Sequence, residues 1–582
     1  MLNQPFWNPK TVTLSLLVLL LPLAVACGTA ATAVPQAGPE PTIARPVPLE
    51  IKPTSTPPPT VVASAKDTVR FVTAEEPTTI GAASPNCGGN IQNTICDDMA
   101  SDPLTWIDSA TFQVVPMTGI ESWEQRDPKR WRFKLRDGVK FHNGAPWNAE
   151  QAKFWIDYFG DEQTSGHHNS NDFSFHGVIS GEVVDPLTLD VVCKIACPIL
   201  PRTTIFTKFQ DVGWFKTATP ADTERNTMGL GPYKIVEWRA GVQVELEAFK
   251  DYKPNKAYDS QAPSIKRVIQ MWRNEPLVRA SMLATGEADW ADISFDDRNR
   301  VPKWKTSTNN EVFLYSIDTV HHPELRKKEV REALNLAIDC KTLMAKLYDN
   351  LMECFGNIAQ TGTVGITPQN SAPYGYDPAR ARLLLKQAGY NPANKITLSI
   401  RSQRVPRDVE YAEAAVTYWR EVGINADLAV LESSQWNNVS RSNCGHQRTR
   451  EDFQKAAGAD LHEKCRSLGA GPPRYSSMNL SGSNTSTESL DFSRQAILRN
   501  SCYSRSSGVC FEDFEKQTQE ANATDTGPLR TERLQAVADR VHNEFYFVPV
   551  TQVVSMYALA KNLEWQPNYA PRVRANTMRF TK

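Results

Sequence analysis

The sequence predicts an α/β protein built from more than one globular unit, and three observations predict it. Ile396, Leu398 and Ile400 alternate as a strand, a helical pattern follows from about Val409 to Val422, and Ile424, Ala426, Leu428 and Val430 alternate as a second strand. A strand, helix, strand succession places its two strands parallel in one sheet, because the helix crosses over a face of that sheet. Arg130 to Phe159 encodes a strand, a turn and a capped helix in one run. Finally, 582 residues with 41% hydrophobic content exceed one ordinary domain and suffice to fill more than one core.

The chain opens with a short polar start carrying one cation, Lys10, before the apolar run Thr11 to Ala26, which Pro22 interrupts. Those sixteen residues are fewer than the roughly 20 of a spanning helix, and small residues follow, as in a secretion signal over residues 1–26. Leu23-Ala24-Val25-Ala26-Cys27-Gly28 resembles a bacterial lipobox, which implies a lipid on Cys27, although Ala24 stands where that motif usually has Leu. The residues themselves also allow a plain signal cleaved near Ala26 or an uncleaved anchor. Nine prolines between Pro35 and Pro59 then favour extended, polyproline-like chain. Residues 27–66 therefore read as a tether, or as a leader with no spacing role.

Thr68 to Thr73 has a strand pattern and opens the globular part. Trp131, Phe133 and Leu135 alternate with Arg132, Lys134 and Arg136, and Asp137-Gly138 is expected to turn this strand into a hairpin with Val139-Lys140-Phe141. Asn148 is placed to cap the next helix with Gln151 as reciprocal partner, and Ala152, Trp155, Ile156 and Phe159 share one helical face. A second hairpin is expected from Lys234 to Phe249, turning at Ala240-Gly241. Val330, Leu334, Ala337 and Ile338 form a helical stripe, and Asp339 is placed to cap a helix from Lys341 to about Tyr348. Asp377 and Pro378 start another helix with Ala381, Leu384, Leu385 and Ala388 buried, ending at Gly389.

Several of these stretches carry a resemblance. F-K-L-R-D-G-V-K-F-H-N-G-A-P-W-N-A-E from Phe133, G-L-G-P-Y from Gly229, V-R-E-A-L-N-L-A-I-D from Val330, the Tyr376 to Tyr390 helix and F-Y-F-V-P-V-T-Q from Phe545 occur in the order found in family 5 extracytoplasmic solute-binding proteins, the peptide, nickel and related receptors of ABC importers. The resemblance runs from about Thr68 to Asn438 and resumes near Phe545 to Met556. It implies a two-lobed, periplasmic-binding-protein-like fold of type II, the Venus-flytrap arrangement, with an extra inserted region. The implied first lobe combines residues 67–113, 225–320 and 545–582, with 114–224 as a small inserted region; residues 321–544 form the second lobe. It further implies a small-molecule or peptide ligand, an ABC permease as partner, a monomer, and a place outside the cytoplasmic membrane, held to its outer face by the lipid alone.

Composition narrows the function classes. Lys and Arg total 64 against 65 Asp and Glu, so no net field attracts nucleic acid. Ten cysteines remain after Cys27, in neighbouring twos: Cys87 and Cys96, Cys193 and Cys197, Cys340 and Cys354, Cys444 and Cys465, Cys502 and Cys510. Five local disulfides suit an oxidising compartment, while buried free thiols remain the alternative and spacing does not fix connectivity. There is no G-x-S-x-G elbow, P-loop or dinucleotide fingerprint, and Arg466 stands where a zinc-peptidase motif begun at His462-Glu463 needs its second His. Neither a metal nor another cofactor is expected; His167-His168 and His321-His322 read as solvated pairs. An enzyme is not expected, a secreted hydrolase being the rival from another class and a sensory or scavenging lipoprotein the rival among binding proteins.

A binding cleft needs aromatic walls and a few orienting polar groups. Trp131 and Trp155 lie on patterned buried faces and read as core. The cleft candidates are Asn86, Trp106, Arg401, Ser402, Arg404, Trp436 and Asn437, in or beside loops that resemble cleft-facing segments of the family. Peptide receptors of the family hold a ligand's amino terminus with an acidic residue in an aspartate-proline segment. The counterpart is placed at Leu468 to Arg474, which has no carboxylate and offers Arg474 instead.

Overall fold

The structure, a computed structural model, describes residues 66–82, 95–108, 111, 113–160, 177–401, 405–432, 435, 455–456, 458–467, 480–486, 489–502, 504, 507–568 and 572–582. By contacts the chain divides into residues 1–60, outside the described residues, and residues 61–582, which carry every described element.

The strands in chain order are β1 (Thr68–Thr73), β2 (Thr105–Ile107), β3 (Val114–Pro116), β4 (Ile120–Asp127), β5 (Arg130–Leu135), β6 (Val178–Asp185), β7 (Thr188–Cys193), β8 (Tyr233–Arg239), β9 (Gln243–Ala248), β10 (Arg267–Trp272), β11 (Trp290–Asp292), β12 (Lys303–Ile317), β13 (Ile396–Arg401), β14 (Ala426–Leu431), β15 (Leu480–Ser486) and β16 (Phe547–Leu559). One sheet has ten strands in the order β14-β13-β15-β12-β16-β11-β1-β10-β9-β8, and a separate one has the order β4-β5-β7-β6. Along the large sheet the chain segments are sorted: β8 to β11 and β1 lie on one side of β12 and β16, and β13 to β15 lie on the other. The two central strands are 15 and 13 residues long, antiparallel, and paired over most of their length.

The helices follow local rules. The helix α1 (Ala149–Gly160) starts where Asn148 Oδ1 accepts from the Gln151 amide at 3.0 Å, and it buries Ala152, Trp155, Ile156 and Phe159. Short helices α2 (Leu200–Thr203), α3 (Val212–Thr217) and α4 (Pro220–Arg225) close the region of the small sheet, and α5 (Pro276–Thr285) precedes β11. Then come α6 (Lys328–Leu336) and α7 (Cys340–Tyr348), where Asp339 caps the latter through the Thr342 amide; α8 (Pro378–Gln387) is capped by Asp377 through the Arg380 amide. Between β13 and β14 runs α9 (Asp408–Glu421), and these two strands are parallel, as a strand, helix, strand unit requires. The remaining helices are α10 (Leu461–Ser467), α11 (Phe492–Asn500), α12 (Glu512–Ala523) and α13 (Pro528–Asn543).

Two expectations are corrected. Residues 139–141 do not pair with β5: its two edges are occupied by β4 and β7, and Asp137-Gly138 is a turn, with Gly138 at φ 66°. The turn signal was local, whereas the pairing went to longer strands that bury Trp131, Phe133 and Leu135 against α1. Gln151 also does not complete a capping box, because its amide donates to Asp211 Oδ1 and its oxygen accepts from the Val212 amide, tying α1 to the start of α3.

Among the described residues, four larger apolar clusters fill the body. One surrounds the small sheet and α1; one lies among β1, β8 to β11 and the chain's last residues; one joins β13, β14 and α5 to α9 to the centre of the large sheet; and the last lies under α11, α12 and α13. Disulfides join Cys193 to Cys197, Cys340 to Cys354 and Cys502 to Cys510. The other two expected pairs, Cys87 with Cys96 and Cys444 with Cys465, involve positions outside the described residues.

Candidate functional site

The place where the two sides of the large sheet meet is set by the edge of β12. Its pairing with β15 begins at Glu311 opposite Ser486. Its earlier part is covered by residues 563–568, through Lys303 Nζ to Leu563 O at 3.1 Å, Lys305 Nζ to Trp565 O at 2.6 Å and Ser307 Oγ to Asn568 O at 2.7 Å. Residues 308–310 lie between these two coverings. On the opposite edge β16 shifts register at the same place, so that Asn309, Asn310 and Glu311 together oppose Val553 alone. Such a bulge bends a strand and re-aims its side chains. A second irregularity sits at Val550 of β16, whose carbonyl accepts from the Phe355 amide at 3.3 Å and lies 3.8 Å from Sγ of the disulfide-bonded Cys340.

Other contacts join parts of the chain that are distant in sequence. Arg202 Nη1, on α2, donates to Ser489 O at 3.0 Å, joining the region of the small sheet to the connection between β15 and α11. Arg407 meets Asp296 at 2.6 Å and Arg298 meets Asp349 at 3.0 Å, joining the turn after β11 to the starts or ends of α9 and α7. The β15–α11 connection is itself held by a buried pair: Arg530 Nε and Nη2 donate to Asp491 Oδ2 and Oδ1 at 3.0 and 2.9 Å. Burial pushes the Asp491 carboxyl up, but the charge and hydrogen bonds of Arg530 outweigh it and hold this group below the ordinary carboxylate range.

Trp106 is buried on β2 within a charged cage. Its Nε1 donates to Asp259 Oδ2 at 3.0 Å, and Lys208, Arg572 and Arg574 stand over its ring at 5.7, 5.1 and 5.6 Å. Arg572 pairs with Asp98 at 3.1 Å, Arg574 with Asp102 at 2.7 Å, and Tyr252 donates to Asp102 at 3.0 Å. Arg401 ends β13 opposite Leu431 of β14, so Trp106 and Arg401 belong to different sheets. Asn86, Ser402, Arg404, Trp436, Asn437 and Arg474 lie outside the described residues, as does Cys27.

Arg202, Ser489, the Asp491–Arg530 pair and the cage of Asp98, Asp102, Arg572 and Arg574 escaped the sequence reading. Arg572-Val573-Arg574 has the look of an exposed alternating edge, and only its tertiary partners, more than four hundred residues away, reveal both guanidinium groups as buried. Among the described residues no group of three or more His, Cys, Asp and Glu is arranged to hold a metal ion. His321 Nδ1 sits against Asp318 at 3.1 Å and His322 Nε2 against Lys395 O at 3.2 Å. Among the described residues no helix is long and apolar enough to cross a membrane.

Residues 114–452 match the family model described as bacterial extracellular solute-binding proteins, family 5 Middle. The glutathione-binding protein GsiB of Salmonella typhi is 26% identical over 336 residues, 53% of this chain and 59% of that protein, and GsiB of Escherichia coli O1:K1 is 25% identical over 338 residues, with the same coverage. The chain thus spans 59% of the length of the curated relatives it matches. Among solved structures, the substrate binding protein CtaP of Listeria monocytogenes superposes with a TM-score of 0.70 at 19% identity, covering 89% of this chain and all of that one. The oligopeptide-binding protein AppA of Bacillus subtilis, in complex with a nonapeptide, gives 0.71 at 16% identity, covering 90% and 100%. These structural likenesses share the two-lobed fold.

Proposed function

The chain belongs to the bacterial extracellular solute-binding proteins of family 5, and from that premise we propose that it is a receptor that captures a peptide or similar small solute and hands it to an ABC permease. The observation that carries the reading is the pair of long strands β12 and β16, through which one sheet continues from β1 and β8–β11 to β13–β15. Two sides joined by a few continuous strands can rotate about those strands, and the bulges bend those strands locally. The solute works by differential affinity: it bridges both sides only in the closed arrangement and shifts the equilibrium by no more than that difference. No covalent step is needed.

The division into a first lobe of 67–113, 225–320 and 545–582, an inserted region of 114–224 and a second lobe of 321–544 belongs to the same proposal, as do a monomeric state and a lipid on Cys27 that holds the body outside the membrane. The separate core around the small sheet supports an inserted region. GsiB is a glutathione-binding protein and AppA was solved with a nonapeptide, which favours a peptide-type solute here. Native mass spectrometry of the chain purified without refolding tests the reading. A stoichiometric solute removed by denaturation supports it; turnover on a panel of hydrolase substrates with no retained solute contradicts it.

A further inference from the structure

We propose that Asn310, at the bulge of β12, reads the solute directly, pairing its carboxamide with a peptide-type amide of the ligand. The inference rests on the receptor reading and adds to it a position and a chemical class. The bulge places three residues opposite one, and two of the three are tied down. Asn309 donates from Nδ2 to Ser555 Oγ at 3.0 Å and accepts the Glu311 amide on Oδ1 at 2.8 Å. The Glu311 backbone is also in register with Ser486 of β15. Asn310 differs: its side chain is 1% exposed, and neither Nδ2 nor Oδ1 has a hydrogen-bond partner among the described residues.

Burying a carboxamide without partners is unfavourable, and such groups in folded proteins ordinarily meet water or a ligand. The group lies on β12 between the last described contact of residues 563–568, at Ser307, and the first pair with β15, at Glu311. Further along the chain from β15 the pattern recurs. Ser489 Oγ and Thr363 Oγ1 are likewise buried without partners among the described residues. The two hydroxyl-bearing residues are neighbours, because Val364 and residues 490–492 exchange backbone hydrogen bonds, Val364 N to Leu490 O and Phe492 N to Val364 O, both at 3.1 Å. Leu490 between them holds φ 50°, an uncommon conformation for a leucine and one that persists where the surroundings enforce it. Arg202 meets Ser489 through the carbonyl, not the hydroxyl.

These unpaired groups are neutral. A carboxamide offers two donors and an acceptor with two lone pairs, the complement of another amide, and hydroxyl groups extend that pattern. A charged headgroup would call for an opposite charge, whereas the Asp491 and Arg530 charges nearby are already spent on each other.

The test is calorimetric titration of the intact chain, with Asn310→Ala and Asn310→Asp, against trialanine, its N-acetylated amide and glutathione, with thermal midpoints measured in the absence of solute. Asn310→Ala should weaken binding of a probe by about 10- to 100-fold, and its ligand-free midpoint should stay or rise, since it removes an unpaired buried amide. Asn310→Asp, which keeps the shape and loses the donors, should weaken binding as well. Unchanged affinity in both variants, whether the midpoint falls or stays, overturns the inference and leaves the receptor reading standing; a falling midpoint then marks Asn310 as holding a structural water. Binding of no probe by the unaltered chain removes the peptide-type reading and the inference with it.

Discussion

Arg530→Met is the perturbation whose consequence the structure defines most closely. Arg530 and Asp491 are each 3% exposed, and the guanidinium makes six hydrogen bonds: two to Asp491, one to Ser493 Oγ at 2.9 Å, and one each to the carbonyls of Ala521, Asn522 and Thr524 at 3.2, 2.9 and 2.7 Å. Methionine keeps much of the volume and removes every donor. Asp491 then stays buried with, among the described residues, the Ser493 amide and hydroxyl as its side-chain partners. Removing one member of a buried pair costs about 3–5 kcal/mol, and most of that is the stranded charge. The sign with pH follows from the shift. With Arg530 present the Asp491 pKa is depressed, so its contribution is in place above the unfolded value near 3.9 and is lost as pH falls below it. Without Arg530, burial is opposed by the Ser493 hydrogen bonds and no longer by a cation, so the pKa should rise, and the penalty is largest at neutral pH and shrinks on acidification. Urea unfolding followed by tryptophan fluorescence at pH 7 and pH 5 should show a deficit of about 3–5 kcal/mol that is smaller at the lower pH, and Asp491→Leu with Arg530→Met should recover most of it. A deficit under about 1 kcal/mol at pH 7, the range of a surface pair, or one that grows toward pH 5, refutes the reasoning.

Two further predictions concern the centre and the small sheet. The Cys340–Cys354 bridge closes a separation of 14 residues, so replacing both with Ala should lower stability by about 3 kcal/mol, with reductant lowering the unaltered chain further toward the variant; calorimetry with and without reductant checks it. His142 is half-buried, and loss of solvation holds its imidazole below its usual pKa even though its ring nitrogens face the carbonyls of Thr227 and Gly231 at 3.3 and 3.0 Å. Its contribution is therefore present above the unfolded value near 6.5 and lost as pH falls below it, and His142→Gln should flatten the decline in thermal midpoint between pH 7 and pH 5.

Much of the scaffold was legible because its signals are local. Asn148, Asp339 and Asp377 cap the helices they precede, and β13, α9 and β14 follow one another with apolar patterns of clear period. The sequence reading failed where pairing is decided at a distance. The Asp137-Gly138 turn suggested a hairpin, yet β7 lies more than fifty residues beyond β5 and took that edge. The strand β15 reads LSGSNTS, with no apolar alternation, and becomes a strand because β12 and β13 flank it. The site was harder still. Arg202 and Ser489 are 287 positions apart, and Asp98 and Arg572 are 474 apart. Asn310 carries no motif; burial without a partner, together with its place at the bulge of β12, singles it out.

The central claim, capture by closure about β12 and β16, is tested most directly by small-angle X-ray scattering of the chain with and without a solute identified by native mass spectrometry. A smaller radius of gyration on binding, saturating at one solute per chain, is the predicted result. A radius that does not change while the solute binds stoichiometrically contradicts it.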